Sequence, residues 1–308
     1  MEYLKVSEMA KRWGLSSRRV RVLCAEGKVE GVIRKGNLYL IPENASKPAD
    51  GRATRSKRSI DNLLQSIDEK WQELKNRRPL TEGEVERLRD EFMVENIYHS
   101  NAIEGNTLTL QETALVLEGV TIAQKPLKDH LEAIGHKDAF LFIQDIAQKN
   151  LPLSESIIKH IHSLVLMDKP NDRGVYRSIP VRIMGASHQP PQPYLVEPNM
   201  LDLMQSNEKR KQTMHPIVRM ALFHLEFEGI HPFVDGNGRT GRLLINLELM
   251  QLGYPTISVK FADRQKYYNA FDAYFRHGDS AVMQHLIAGY VDEQLDLYLQ
   301  MLGPSEKH

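Results

Sequence analysis

The sequence predicts a mainly α protein: a helical bundle with one β-hairpin flap, preceded by a small winged helix-turn-helix domain. Three observations lead there. Apolar residues recur at helical spacing through most of the chain after residue 60. Strand-like alternation is confined to two short stretches. Charge is divided unevenly: residues 1–60 carry 14 Lys+Arg against 6 Asp+Glu, a net of +8, and the rest carries −8, so the 308-residue chain is neutral. A basic segment ahead of an acidic body marks a separate module with an anionic partner, for which nucleic acid is the usual candidate.

Taken in order, Val6 to Gly14 reads as a short helix with Ser7 as N-cap. Ser16-Ser17 then cap a second helix, Arg18 to Glu26, stopped by Gly27. "GVIRKGNLYLIP" gives two strands about a Lys35-Gly36-Asn37 turn, closed by Pro42. Helix, turn, helix and hairpin is the winged arrangement in which the second helix enters the major groove. Through "VSEMAKRWGLSSRRVRVLCAEGKVEG" this stretch resembles small excisionase and MerR-like helix-turn-helix domains. The resemblance implies a DNA-binding domain over residues 1–46, with Arg18, Arg19 and Arg21 at the groove and Lys35 of the wing reaching a phosphate. A solvated basic helix on a protein-binding module is the plainer alternative.

"ENASKPADGRATRSKRS" is polar, basic and broken by Pro48 and Gly51, and residues 47–59 read as a linker. Beyond it, Ile60, Leu63, Leu64, Ile67, Trp71 and Leu74 form an apolar helical stripe. Thr109-x-x-Glu112 is a capping box opening a helix that Gly119 closes. Leu127 to Ile146 and Ile157 to Val165 continue the helical pattern. The exception is "RSIPVRIMGASHQPPQPYLVEP": Val181-Arg182-Ile183 alternates, a Gly- and Pro-rich turn follows, and Tyr194-Leu195-Val196 returns, which reads as a hairpin flap. No apolar run nears the ~20 residues of a membrane span, the first residues lack a signal-peptide core, and Cys24 is the single cysteine. A cytoplasmic protein without a membrane partner is expected.

The chemistry concentrates in "HPFVDGNGRTGR", His231 to Arg242, between the helices expected over "HPIVRMALFHLEFEGI" and "RTGRLLINLELMQLG". Gly236, Asn237 and Gly238 then approach a helix N-terminus, where free N–H groups and the macrodipole favour phosphate. Arg239 and Arg242, three apart, add charge-assisted donors. Asp235 offers a hard oxygen, and one carboxylate plus substrate phosphates is a common way to hold Mg²⁺. His231 titrates near neutrality and can take a proton from an attacking hydroxyl. A helix-capping loop with a buried histidine would explain one glycine but not the whole set. His160, His162 and His224 lack acidic or Cys partners at metal-ligand spacing and read as structural or surface residues.

The stretch resembles the Fic-domain motif, H-P-F-x-[DE]-G-N-G-R-x-x-R, at every specified position, and the likeness extends over roughly residues 60–300. It implies a helical region over 60–122 and a catalytic domain over 123–302 that transfers AMP from ATP to a Ser, Thr or Tyr hydroxyl of a protein. His231 would be the base and Asp235 the ligand of Mg²⁺ (or Mn²⁺). Gly236 to Gly238, with Arg239, Thr240, Gly241 and Arg242, would bind the nucleotide, Arg242 holding the γ-phosphate. Related Doc-type kinases carry a lysine where this chain has Gly238, which favours AMP transfer here. The flap resembles the family's target-docking hairpin, with Met184, Gly185, Ala186 and Ser187 nearest the nucleotide. Tyr267 and Tyr268 of "DRQKYYNAF" match the nucleoside-pocket helix, whereas Phe275-Arg276-His277 before Gly278-Asp279 departs from the usual Asn.

"SNAIEGN", Ser100 to Asn106, matches the family's inhibitory motif [ST]-x-x-x-E-[GN]. By itself Glu104 would be a solvated helix-end acid; the resemblance implies that it pairs with Arg242 in the γ-phosphate's place, and in some relatives supports removal of AMP. It also implies a homodimer as a support for the brake. A competing expectation is a DNA-binding regulator whose body senses nucleotide with little transfer.

Overall fold

The computed structural model describes residues 3–36, 38–47, 51–77, 82–183 and 188–302, and the chain divides into two compact units, Met1–Ser59 and Ile60–His308.

In the first unit, β1 (Tyr3–Lys5) leads into α1 (Val6–Trp13) and α2 (Ser17–Ala25), followed by β2 (Ile33–Lys35) and β3 (Leu38–Pro42). β3 lies between the others, antiparallel to both, pairing Leu4 with Ile41 and Arg34 with Tyr39. The expected cap of α1 moves: Lys5, not Ser7, is the N-cap, and its N–H donates to the Glu8 carboxylate at 2.7 Å. Starting two residues early lets β1 run straight into the helix. Ser16 caps α2 as expected, its Oγ accepting from Arg19 N–H at 3.2 Å. Val20, Leu23 and Cys24 turn inward onto Met9, Trp13 and Ile41, so Arg18, Arg19 and Arg21 are left exposed on the opposite side of α2. The side chain of Lys35 lies outside the described residues.

The second unit is helical. α3 (Gly51–Asn76) begins before the boundary at Ile60; α4 spans Glu82–Ile103, α5 Leu110–Leu117, α6 Leu127–Gln148 and α7 Glu155–Val165. α8 follows over Val196–Arg210, then α9 (Pro216–Ile230), α10 (Asn237–Gln251), α11 (Arg264–His277) and α12 (Ala281–Met301). The stretch from Gly51 that reads as a linker is helical: Arg, Ala and Lys are good helix formers, and once Ile60, Leu64 and Ile67 are fixed in the core the helix extends backwards at low cost.

α9 and α10 are buried nearly all round because they separate two cores. Ile217, Met220, Leu225, Ile245 and Leu249 pack with α3, α11 and α12. Phe223, Phe227, Leu243, Leu244 and Leu247 pack with α6, α7 and α8. The turn joining α9 to α10 is thereby held from both sides. Thr109 and Glu112 form the expected reciprocal cap of α5.

The flap is a second correction. Residues 184–187 lie outside the described residues, and among the others no strand forms. Pro193–Leu195 is a 3-10 turn that enters α8 at Val196. Pro190, Pro191 and Pro193 have no N–H to give a ladder, and Pro193 at the first position favours a helical turn instead. Among the described residues no helix is long and apolar enough to cross a membrane.

Candidate active site

His231 caps α9 in the left-handed conformation, φ +50°. That conformation is uncommon for a residue with a Cβ, and it folds the imidazole back over the last turn of α9. Arg177, 4% exposed, fixes it from outside the helix pair. Its Nε donates to the His231 carbonyl at 2.8 Å and its Nη2 to Pro191 O at 2.6 Å, while Nη1 reaches Ile179 O at 3.2 Å. One guanidinium thus ties both arms of the flap to the loop. Burial, with the nearby Arg177 charge, lowers the His231 pKa to about 4, so the ring is neutral at pH 7 and free to accept a proton.

The loop after His231 is closed by its own asparagine. Asn237 Oδ1 accepts from Phe233 N–H and its Nδ2 donates to Phe233 O, both at 2.9 Å. The side chain of Asn237 is therefore used within the loop, leaving its backbone N–H at the start of α10. Gly236 is the N-cap at φ +74°, and no side chain caps the helix. A Cβ there would also meet His162 Nε2 at 3.3 Å. His162 is buried, stacked on Phe233 at 3.6 Å between centroids, and bonded at both ring nitrogens. Gly174 N–H donates to Nδ1 at 2.9 Å, so Nε2–H donates to Asp235 O at 2.9 Å. Burial holds this ring neutral, with a pKa of about 4.

Asp235 meets a cation already. Lys169 Nζ lies 2.6 Å from Oδ2, Arg239 Nη2 is 3.6 Å from Oδ1, and Gly236 N–H donates to Oδ1 at 2.7 Å. Burial opposes the charge, but Lys169 and Arg239 outweigh it and hold the carboxyl below its ordinary value. A hard anionic oxygen that attracts a cation fits Mg²⁺, with the remaining ligands left to substrate phosphates. Among the described residues no group of three or more His, Cys, Asp or Glu could hold a metal alone.

The two arginines part company. Arg239, 1% exposed, turns toward α6, where its Nη1 is 3.1 Å from the buried Glu132. Arg242, 5% exposed, turns toward the end of α4. Its Nε donates to Ser100 Oγ at 2.9 Å, and Nη2 to Ser100 O and Glu104 Oε1, each at 2.8 Å. Nη1 is 3.4 Å from the Tyr267 hydroxyl. Thr240 is fully buried, and Gly241 is packed against His224 and Glu228, so neither opens onto the cavity beside Arg242.

That cavity, about 440 Å³, is bordered by Glu104, His231, Gly238, Arg242, Tyr267 and Tyr268. Tyr267 is buried, bonded to His224 Nε2 at 2.6 Å, and Tyr268 is 37% exposed. Glu104 follows α4 directly, and the next residues anchor it. Asn106 Nδ2 donates to Glu132 Oε2 at 2.9 Å and Thr107 N–H to Asp129 Oδ2 at 2.9 Å. Arg177, Lys169, Glu132 and Glu228 were not singled out by the sequence as site residues. Only Glu228, three before His231, has a spacing that could have flagged it.

A family model for the Fic/DOC family matches residues 152–249. The protein adenylyltransferase Fic of Nematostella vectensis is 34% identical over 282 residues, 87% of this chain and 64% of that protein. That of Drosophila melanogaster is 34% identical over 266 residues, 82% and 53% respectively. The chain thus spans 53–64% of the length of these two curated relatives. A Fic domain containing signaling protein from Bacteroides thetaiotaomicron superposes with a TM-score of 0.69 at 28% identity, over 80% of this chain and 99% of that one. A Glu-to-Gly variant of Fic-1 from C. elegans gives 0.70 at 30% identity, over 80% and 74%. With the loop, the helix pair and these likenesses in agreement, the chain belongs to the Fic/DOC family.

Proposed function

We propose that the chain is a protein adenylyltransferase held in check by Glu104. It transfers AMP from ATP to a Ser, Thr or Tyr hydroxyl of a target protein, or of itself. The observation that carries this is the meeting of three things in one cavity: a neutral His231, the uncapped glycine N-terminus of α10, and an Arg242 already bound to a carboxylate. The curated relatives carry the same activity in their names.

In this reading the triphosphate enters along α10, its α- and β-phosphates at the N–H groups of Asn237 and Gly238. Tyr267 and Tyr268 wall the nucleoside end. His231 takes the proton of the target hydroxyl as oxygen attacks the α-phosphorus in line, and pyrophosphate leaves. Mg²⁺, when bound, neutralises phosphate charge, and Asp235 is the residue to hold it. Glu104 competes with the γ-phosphate for Arg242, since one guanidinium cannot serve both anions. In this reading the same carboxylate also serves removal of AMP.

The test uses purified protein with labelled ATP and Mg²⁺. Glu104→Gly should raise incorporation of AMP, and His231→Ala in that background should lower it by at least about 100-fold. Absence of incorporation in the Glu104 variant, with an active control beside it, would defeat the reading. A DNA-binding role for the first unit is favoured by its net charge of +8 and by the exposed Arg18, Arg19 and Arg21. That role makes the chain a regulator as well as an enzyme, in the cytoplasm, alone or as a homodimer. A mobility shift on DNA upstream of its own gene at two salt concentrations checks it.

A further inference from the structure

Glu228 is expensive for the fold. Its carboxyl is buried, and Oε1 has no hydrogen-bond partner. It sits in the last turn of α9, where the helix dipole disfavours an anion. Glu104 places a second carboxylate within electrostatic reach. None of these features stabilises the protein, and an isosteric amide would avoid the charge. A buried acid that the fold does not need points to use in the site.

Its neighbour shows what the use is. Glu228 Oε2 lies 3.8 Å from His231 Nδ1, a buried ring nitrogen to which no side chain is hydrogen-bonded, and the backbone of Glu228 also acts on the ring. The left-handed cap at His231 creates this approach, returning the ring over the residue three earlier. Both side chains border the cavity that holds Gly238 and Arg242. We propose that Glu228 is a positioning residue for His231: it fixes the proton on Nδ1, leaves the Nε2 lone pair toward the hydroxyl, and supplies the counter-charge when Nε2 is protonated.

The proposal rests on the adenylyl-transfer reading. During attack the hydroxyl O–H bond breaks, its proton goes to Nε2, the oxygen–phosphorus bond forms and the bond to pyrophosphate breaks. The imidazolium so formed is buried beside the cationic Arg177, which opposes it. A carboxylate on the other nitrogen offsets that opposition, as an acid does behind the histidine of hydrolytic triads. The charged and titratable groups around Glu228 are Glu104 at the end of α4, His224 and His231 on α9, Arg242 on α10 and Tyr267 on α11. Burial and Glu104 keep Glu228 protonated to about pH 8 in the braked state, with Arg242 opposing. Withdrawal of Glu104 removes one like charge, and an imidazolium beside Glu228 favours its ionised form as the base takes the proton.

The test is Glu228→Gln in the Glu104→Gly background, with full-length protein. The expected result is a fall in kcat of at least about tenfold with KM for ATP little changed. The acid limb of kcat should move to lower pH, and Glu228→Asp should recover part of the rate. NMR titration of the His231 ring, which needs no turnover, should shift to lower pH by about one unit. Thermal unfolding at pH 8 should show Glu228→Gln to be the more stable protein. A loss of rate that is uniform with pH, with an unmoved His231 titration, would overturn the proposal, as would a lower melting temperature. If the Glu104→Gly parent incorporates no AMP, adenylyl transfer fails, and the NMR arm still decides whether Glu228 sets the His231 proton.

Discussion

The two sides of α10 treat an arginine in opposite ways. On the α6 side Arg239 meets Glu132, whose side chain is 5% exposed and whose other oxygen is bonded to Asn106. On the α4 side Arg242 meets Glu104, 33% exposed and bordering an open cavity. Both pairs join a buried guanidinium to a carboxylate, yet only one partner can leave without burying an unpaired charge elsewhere. The first pair has the character of framework and the second of a switch, although the residues are three apart in sequence.

Breaking the framework side should have the largest effect on stability. Glu132→Ala leaves the buried Arg239 with Asp235 alone, 3.6 Å away, and removes one bond of Asn106, and should cost about 3–5 kcal/mol, read as a lower denaturant midpoint. On the switch side Glu104→Gly leaves Arg242 with Ser100 and Tyr267, and should cost about 1 kcal/mol or less while AMP incorporation rises. If the two variants lose equal stability, the distinction between the sides falls.

Acidity sharpens the contrast further. His162 and His231 are held neutral to about pH 4 and His224 to about 3, below their ordinary 6.5, so the unfolded chain binds more protons and stability climbs with pH up to about 6.5. Glu228 works in the opposite sense. Its folded value, about 8, exceeds the ordinary 4.5, so its contribution is lost as pH rises toward 8. Melting temperature should therefore peak near about pH 6.5, and Glu228→Gln should flatten the alkaline fall. A smaller effect is expected at Asp235: Lys169→Met removes the resident cation, and Mn²⁺ titration by EPR with a non-hydrolysable ATP analogue should show tighter metal binding.

Much of this was legible in the sequence because it is local. Ser16, Thr109 and Glu112 cap the helices that their spacing announced, and His231 to Arg242 form one loop and helix N-terminus. What failed to show was long-range or conformational. Glu132 reaches Arg239 across 107 positions and Lys169 reaches Asp235 across 66, and nothing in either neighbourhood advertises the other. Tyr194 to Val196 looked like the returning strand of a hairpin, but three nearby prolines decided for a helical turn. The segment from Gly51 reads as a linker by composition, and its helical state was not legible because helix continuing from Ile60 needed only residues that do not resist it.

Gly238 ties the histories of two distant segments together. A Cβ at this position would collide with Glu104 Oε1 and lie 3.0 Å from Arg242 Nη1. The hydrogen atom there is what lets the Glu104 carboxylate close on Arg242: a side chain at position 238 would push the end of Glu104 out of its present place. Bulk at 238 would thus loosen the proposed restraint, so the missing carbon keeps open a contact with a residue 134 positions earlier.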